Sequence, residues 1–173
     1  MNDKLGKAVE TIDKNRKEII LKKELFRDDY TYEIEPSGLK SFMMFLKENE
    51  ATAFNMLSSV TGIDYSRYDD DKRRFGVVYS LISLTNKIRL NVRVRIPENN
   101  CRVDSVFGLW HSADWQEREI FDLYGILFDG HPDLRRILLD EKDYGDSHPL
   151  RKDYPLKGLG ERHSPLKNYG EDL

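Results

Sequence analysis

Between Lys87 and Ile96 the chain alternates without exception: Ile88, Leu90, Val92, Val94 and Ile96 are apolar, and Lys87, Arg89, Asn91, Arg93 and Arg95 between them are polar. Side chains in a strand point to opposite faces in turn, so this segment predicts a strand with one dry and one wet face. Such a strand belongs in an antiparallel sheet covered on one side only. Phe75 to Leu84 is rich in β-formers and reads as another strand, and Thr85-Asn86 turns the chain between the two. The wet face carries Lys87, Arg89, Arg93 and Arg95. A nucleic-acid platform would also need exposed aromatic residues for base stacking, and none stands at the intervening positions. A solvated face, or one covered by an acidic partner or a helix, is the favoured reading.

Helical spacing surrounds this sheet. Asp3 to Glu24 reads as a helix with a thin apolar face. Thr31 to Glu35 reads as a short strand with Tyr30, Tyr32 and Ile34 on one side. Pro36 ends it, and Ser37 is placed to cap a helix carrying Leu39, Phe42, Met43 and Leu46. Ser58 to Val60 can be extended, but Gly62 breaks the pattern, and Asp69-Asp70-Asp71-Lys72 predicts a polar turn. Pro97 and Asn99-Asn100 close the clear strand, and Val103 to Trp110 predicts a short helix or turn. Asp114, with Glu117 three residues on, predicts a capping box. The helix it opens has Ile120, Phe121, Leu123 and Tyr124 inward and Gly125 at a left-handed C-terminal cap. The fold class expected is α+β: a mostly antiparallel sheet packed with helices over residues 1–139, then an extended C-terminal tail over 140–173. That tail is short of core residues, so it is expected either to stay disordered or to lie on a partner.

Composition excludes several functions. The net charge is −3 with both signs mixed along the chain, so no global field draws in nucleic acid or an anionic membrane. The lone cysteine, Cys101, cannot form an internal disulfide and cannot supply the several thiolates of an iron–sulfur cluster. No run approaches the roughly 20 apolar residues of a membrane span, and the segment after Met1 lacks a signal-peptide core. The expected location is cytosolic, with docking onto a membrane complex left open.

The candidate site residues fall in two groups. Glu117, Arg118, Glu119 and Asp122 crowd one helix, a pattern open to acid–base catalysis or to an ion-paired surface. His111, His131, His148 and His163 stand too far apart for a helical zinc motif. The second group is Gly130-His131-Pro132-Asp133-Leu134-Arg135-Arg136, echoed by His148-Pro149-Leu150-Arg151-Lys152-Asp153. Each sets a His-Pro turn before a Leu-Arg pair. Proline stiffens the backbone and arginine offers a planar fork of donors, a combination suited to an interface hot spot. A phosphate or carboxylate site is the competing reading, and a solvated loop the plainest one.

Trp115 through Ile126, then Phe128, then Gly130 to Leu138, together with the later Pro-Leu-Arg-Lys-Asp element, closely resemble the signature of the 30 kDa subunit family of respiratory complex I. Ser147 departs from the glycine usual there. The resemblance implies a non-catalytic structural subunit of the hydrophilic arm of an NADH–quinone oxidoreductase, peripheral on the cytoplasmic face of the inner membrane. It implies no cofactor in this chain, with FMN, iron–sulfur clusters and quinone held by partner subunits. The implied partners are the large subunit that helps form the quinone site and the neighbouring cluster-bearing subunits. The implied interface comprises Glu117, Arg118, Glu119, Asp122, Gly125 and the two His-Pro elements from Gly130 to Arg136 and His148 to Asp153. Related proteins serve membrane-bound hydrogenases and other quinone- or ferredoxin-linked complexes, so the electron donor stays open.

Overall fold

The computed structural model describes residues 3–27, 29–68 and 72–155. The expected polar turn at 69–71 and the last part of the tail, 156–173, lie outside the described residues. Among the described residues five strands form one sheet in the order β1-β2-β5-β4-β3: β1 (Ile20–Phe26), β2 (Asp29–Ile34), β3 (Met56–Asp64), β4 (Phe75–Ser83) and β5 (Ile88–Ile96). The fold is α+β and the sheet mostly antiparallel, as expected. The exception is β2, which runs parallel to β5 with Thr31 against Asn91 and Ile34 against Val94. The alternation in β5 holds: Ile88, Leu90, Val92, Val94 and Ile96 are buried. They meet Val77, Tyr79 and Leu81 of β4 under helices α1 (Asp3–Asn15) and α2 (Leu39–Glu48). Burying such side chains stabilises by about 1.5–3 kcal/mol each.

Three local expectations fail for identifiable reasons. The first helix stops at Asn15, and residues 20–26 form β1 instead of a continuation to Glu24. Antiparallel pairing with β2, turned by Arg27 at φ +50° and continuous from Lys22 to Phe26, joins this segment to the sheet, which a thin-faced helix could not outweigh. Gly62 does not break β3; the strand runs through it. A Cβ there would come within 2.7 Å of the Tyr124 ring, so glycine permits close packing of a helix on the strand. Ser37 lies in a short 3-10 turn and caps nothing; the N-cap of α2 is Gly38, without a side-chain bond.

Beyond the sheet, β6 (Arg102–Asp104) pairs in parallel with β7 (Leu127–Asp129), where the sequence read as a turn and an unpatterned stretch. Between them α3 (Ala113–Tyr124) packs on the helix-covered side of β3. A last single turn, α4 (Glu141–Tyr144), lies in the segment expected to be extended.

Candidate partner interface

Helix α3 has an unusual inner side: besides Ala113 and Ile120 it buries Glu117, Arg118 and Asp122. Each charge has a local partner. The Glu117 carboxylate accepts from Ser105 Oγ at 2.6 Å and from the Val106 N–H at 2.8 Å, tying the residues just after β6 to the helix. Burial outweighs those two donors and pushes the carboxyl up to about 7. The predicted capping box therefore does not form. Glu117 is turned into the core, and the N-cap is Ser112, whose hydroxyl donates to the Leu57 carbonyl at 3.2 Å and makes no bond to the helix end.

Asp122 organises the segment that follows. Its Oδ2 accepts the backbone N–H groups of Ile137, Leu138 and Leu139 at 3.0, 2.7 and 3.0 Å, and its Oδ1 accepts from Arg136 Nη1 at 2.8 Å. Burial pushes this carboxyl up, but the three N–H donors and Arg136 prevail and hold it below the usual carboxylate range. Arg136 also donates to the carbonyls of Gly145 and Ser147. His148 Nδ1 donates to the Asp122 carbonyl at 2.9 Å, and burial lowers its imidazole below the usual value. Gly125 sits at φ +72°, and a Cβ on it would press on His148 Nε2 and lie 2.6 Å from Arg151 Nη2. It is needed both for the left-handed cap and for the approach of the second His-Pro element.

That element completes the C-terminus of α3. The Leu150 N–H donates to the Leu123 carbonyl at 3.1 Å, and Arg151 Nε donates to the Tyr124 carbonyl at 2.7 Å, a cation on the negative end of the helix. The Arg151 guanidinium lies 4.9 Å from the Phe75 ring centre. Lys152 N–H donates to the buried Asp64 carboxylate at 2.8 Å. Asp64 is ion-paired with Arg74 at 2.7 Å, and Arg74 also reaches Asp153 and Glu98. Burial pushes Asp64 up, but Arg74 and the Lys152 and Ser66 N–H groups hold it far below the ordinary range. Sequence reading missed this clasp, since nothing in the spacing of Asp64, Arg74 and Asp153 links them.

The first His-Pro turn is sealed at its histidine. His131 Nδ1 accepts from the Asp133 N–H at 3.1 Å, which leaves Nε2–H to donate to the Asp114 carbonyl at 3.3 Å. Gly130 takes φ +84°, and Leu134 packs on the core. Exposed at this end are Glu119, Pro132, and the Asp133–Arg135 pair at 3.0 Å. Arg118 reaches the Arg135 carbonyl at 3.2 Å while lying 5.0 Å from the Trp115 ring centre, and that ring is 64% exposed. Trp115 on α3, and Leu138 and Leu150 on the segment bound by backbone N–H groups to Asp122 and Leu123 of that helix, form an exposed rim of apolar side chains, and Arg135 and Glu119 are exposed as well. Trp115 lies inside the family-like motif, but only its exposure marks it as a contact residue.

The expected interface therefore divides. The side chains of Glu117, Asp122, His131 and Arg136, with Arg118, His148 and Arg151, are engaged inside the chain, and residues 140–155 lie on their own domain. The pieces of a hydrolytic site do not meet: Glu117 faces Ser105, Glu119 faces outward and His131 is closed against Asp114. Of the basic sheet face, the part bearing Arg93 and Arg95 is closed, because Arg93 pairs with Glu33 and Glu24, and Arg95 donates to the Arg73 carbonyl over the Tyr65 ring, while Arg89 stays exposed. Burial holds the Cys101 thiol up at about 11, far from a reactive thiolate. No group of three or more His, Cys, Asp or Glu side chains among the described residues is placed to share a metal ion.

Residues 32–159 match the family model for the respiratory-chain NADH dehydrogenase 30 kDa subunit. The chain belongs to that family. It is 43% identical over 164 residues to the corresponding NADH-quinone oxidoreductase subunit of Acidithiobacillus ferrooxidans, covering 93% of this chain and 75% of the relative. It is 41% identical over 138 residues to the mitochondrial NADH-ubiquinone oxidoreductase 30.4 kDa subunit of Neurospora crassa, covering 79% of this chain and 46% of that one. Among solved structures, a trypsin-resistant fragment of Nqo5 is 36% identical with a TM-score of 0.66, covering 76% of this chain and 99% of the fragment. A chain of the membrane-bound sulfane sulfur reductase, an archaeal respiratory membrane complex, shares the fold at TM-score 0.74 and 21% identity, covering 88% of this chain and 86% of that one. The 30 kDa family motif coincides with α3 and the strap that wraps it, residues 130–155.

Proposed function

We propose that this 30 kDa family member is the non-catalytic assembly subunit of the hydrophilic arm of an NADH–quinone oxidoreductase. It grips a neighbouring subunit of the large, quinone-site type through the Trp115–Arg135–Leu138–Leu150 rim. The observation that carries the reading is that the motif's charges lock the strap onto α3 and leave an exposed aromatic, an arginine and two leucines outside. The rim's Trp and Arg are the residue types that dominate interface hot spots, the leucines add apolar area around them, and among the described residues these side chains form no pocket of converging reactive groups. A lone cysteine fits a chain that leaves FMN, clusters and quinone to its neighbours. Among the described residues no helix is long and apolar enough to cross a membrane, which fits peripheral attachment on the cytoplasmic face of the inner membrane through the complex.

The test is the double substitution Trp115→Ala with Arg135→Ala. Both side chains are exposed, so thermal unfolding of the purified chain should stay unchanged while its recovery with the solubilised oxidoreductase falls severalfold. Recovery equal to that of the unsubstituted chain overturns the proposal. Arg151→Ala is unsuited to this purpose, because Arg151 caps α3 from within.

A further inference from the structure

The face of the sheet turned away from the helices carries a second surface that the rim on α3 does not use. Strand register sets side chains in rows across it. Phe26 stands opposite Asp29, Ile82 opposite Arg89, and Met56 opposite Ile82. Since Thr31 pairs with Asn91 in the parallel ladder, Asp29 and Arg89, two residues earlier, fall into the same row. One row therefore crosses all five strands as Phe26, Asp29, Arg89, Ile82 and Met56. Phe26 is 71% exposed, Met56 43%, and Leu84, just beyond β4, 61%. Beside the row lies a groove of about 390 Å³, lined by Ser58, Ser59, Ser80, Asn91, Arg89 and Asp29 among others. The register shift between Leu57 and Ser59 adds an unpaired residue to its wall, the kind of bulge that re-aims side chains at a strand edge.

The arginines of this face are not equivalent. Arg93 and Arg95 are satisfied within the chain, by Glu33 and Glu24 and by the Arg73 carbonyl. Arg89 is exposed, and among the described residues it has no ion-pair or hydrogen-bond partner. Exposed Arg27 and Lys87 stand near the same end, and among the described residues Asp29 is the one acidic residue in the groove lining. An unpaired guanidinium amid hydroxyl and amide groups, flanked by an exposed Phe and Met, matches the aromatic, Met and Arg enrichment of interface cores. Its charge calls for an acidic partner.

We propose that this groove docks an acidic polypeptide segment of another protein of the same complex. A partner carboxylate sits on Arg89 and the apolar neighbours of that carboxylate lie on Phe26 and Met56. The proposal rests on the reading of the chain as a complex subunit and adds an interface on the side of the sheet opposite α3.

The experiment uses the assembled, membrane-extracted complex with a photoreactive benzoylphenylalanine in place of Phe26. Irradiation should yield an adduct with an acidic segment of one other protein of the complex. Arg89→Glu should cut that adduct at least about tenfold, since like charges then face each other. Loss of the Arg89→Glu chain from the complex, with its thermal unfolding unchanged, supports the proposal equally. Adducts only with lipid, with a second copy of this chain or with a basic segment overturn it, as does a yield indifferent to Arg89→Glu. Failure of the unsubstituted chain to travel with the complex overturns the assembly role instead.

Discussion

Val77, Tyr79, Val92 and Val94 lie dry between the sheet and its helices. Ile137, Leu138 and Leu139 lie at or near the surface, and one carboxylate, Asp122, holds all three by their backbone N–H groups. The sheet is kept together by burial that has no preferred direction and is spread over many side chains, so exchanges of similar volume are tolerated. The strap is held by a few directional bonds to groups already out of water, so single atoms matter. A segment poor in core residues can therefore be fixed on the domain when its backbone finds buried acceptors.

The comparison can be broken by substitution. Phe42→Ala should cost about 3–5 kcal/mol by leaving a cavity and lower the midpoint of whole-domain unfolding, read by circular dichroism. Asp122→Ala should cost about 3 kcal/mol by orphaning Arg136 and three N–H groups. Its effect should concentrate in the strap, seen as faster hydrogen exchange at Ile137 to Leu139 and new protease cleavage within 130–155. If Asp122→Ala lowers the sheet's own unfolding as far as Phe42→Ala, the two regions form one cooperative unit and the contrast fails.

Glu117 probes the seam between β6 and α3. Its carboxyl is raised from 4.5 to about 7 in the folded chain. Between those values the folded state binds the proton and the unfolded state does not, so stability falls as pH rises from about 4.5 to 7 and levels off above. Linkage puts this contribution at up to about 3 kcal/mol. Glu117→Gln should remove it in denaturant titrations across that range, and a slope identical to that of the unsubstituted chain would count against a buried, protonatable Glu117. Gly125→Ala combines a positive φ with a Cβ pressed on His148 and Arg151, and should cost about 1–3 kcal/mol, with protease sensitivity appearing first around His148. Smallest is Arg135→Ala, within about 0.5 kcal/mol in thermal unfolding because its side chain is exposed. A larger loss would mean that Arg135 belongs to the clasp and not to the rim.

Much of the fold was legible because its signals are local. The alternation of β5, the Leu39–Phe42–Met43–Leu46 stripe of α2 and the glycine after Tyr124 each depend on neighbours within a turn or a strand, where the chain's own geometry sets the period. The motif around α3 was equally plain and marked the family. What adjacent residues do not encode is the partner across space. Residues 20–26 became a strand because β2 offered a ladder, Gly62 admitted α3 because Tyr124 arrives there, and Glu117 turned inward because Ser105 and Val106 wait for it. The two His-Pro elements, read as grips for other proteins, close on Asp122, Tyr124 and Asp64. A buried carboxylate or helix end needs donors wherever the fold leaves it short, and only the tertiary structure decides which segment supplies them.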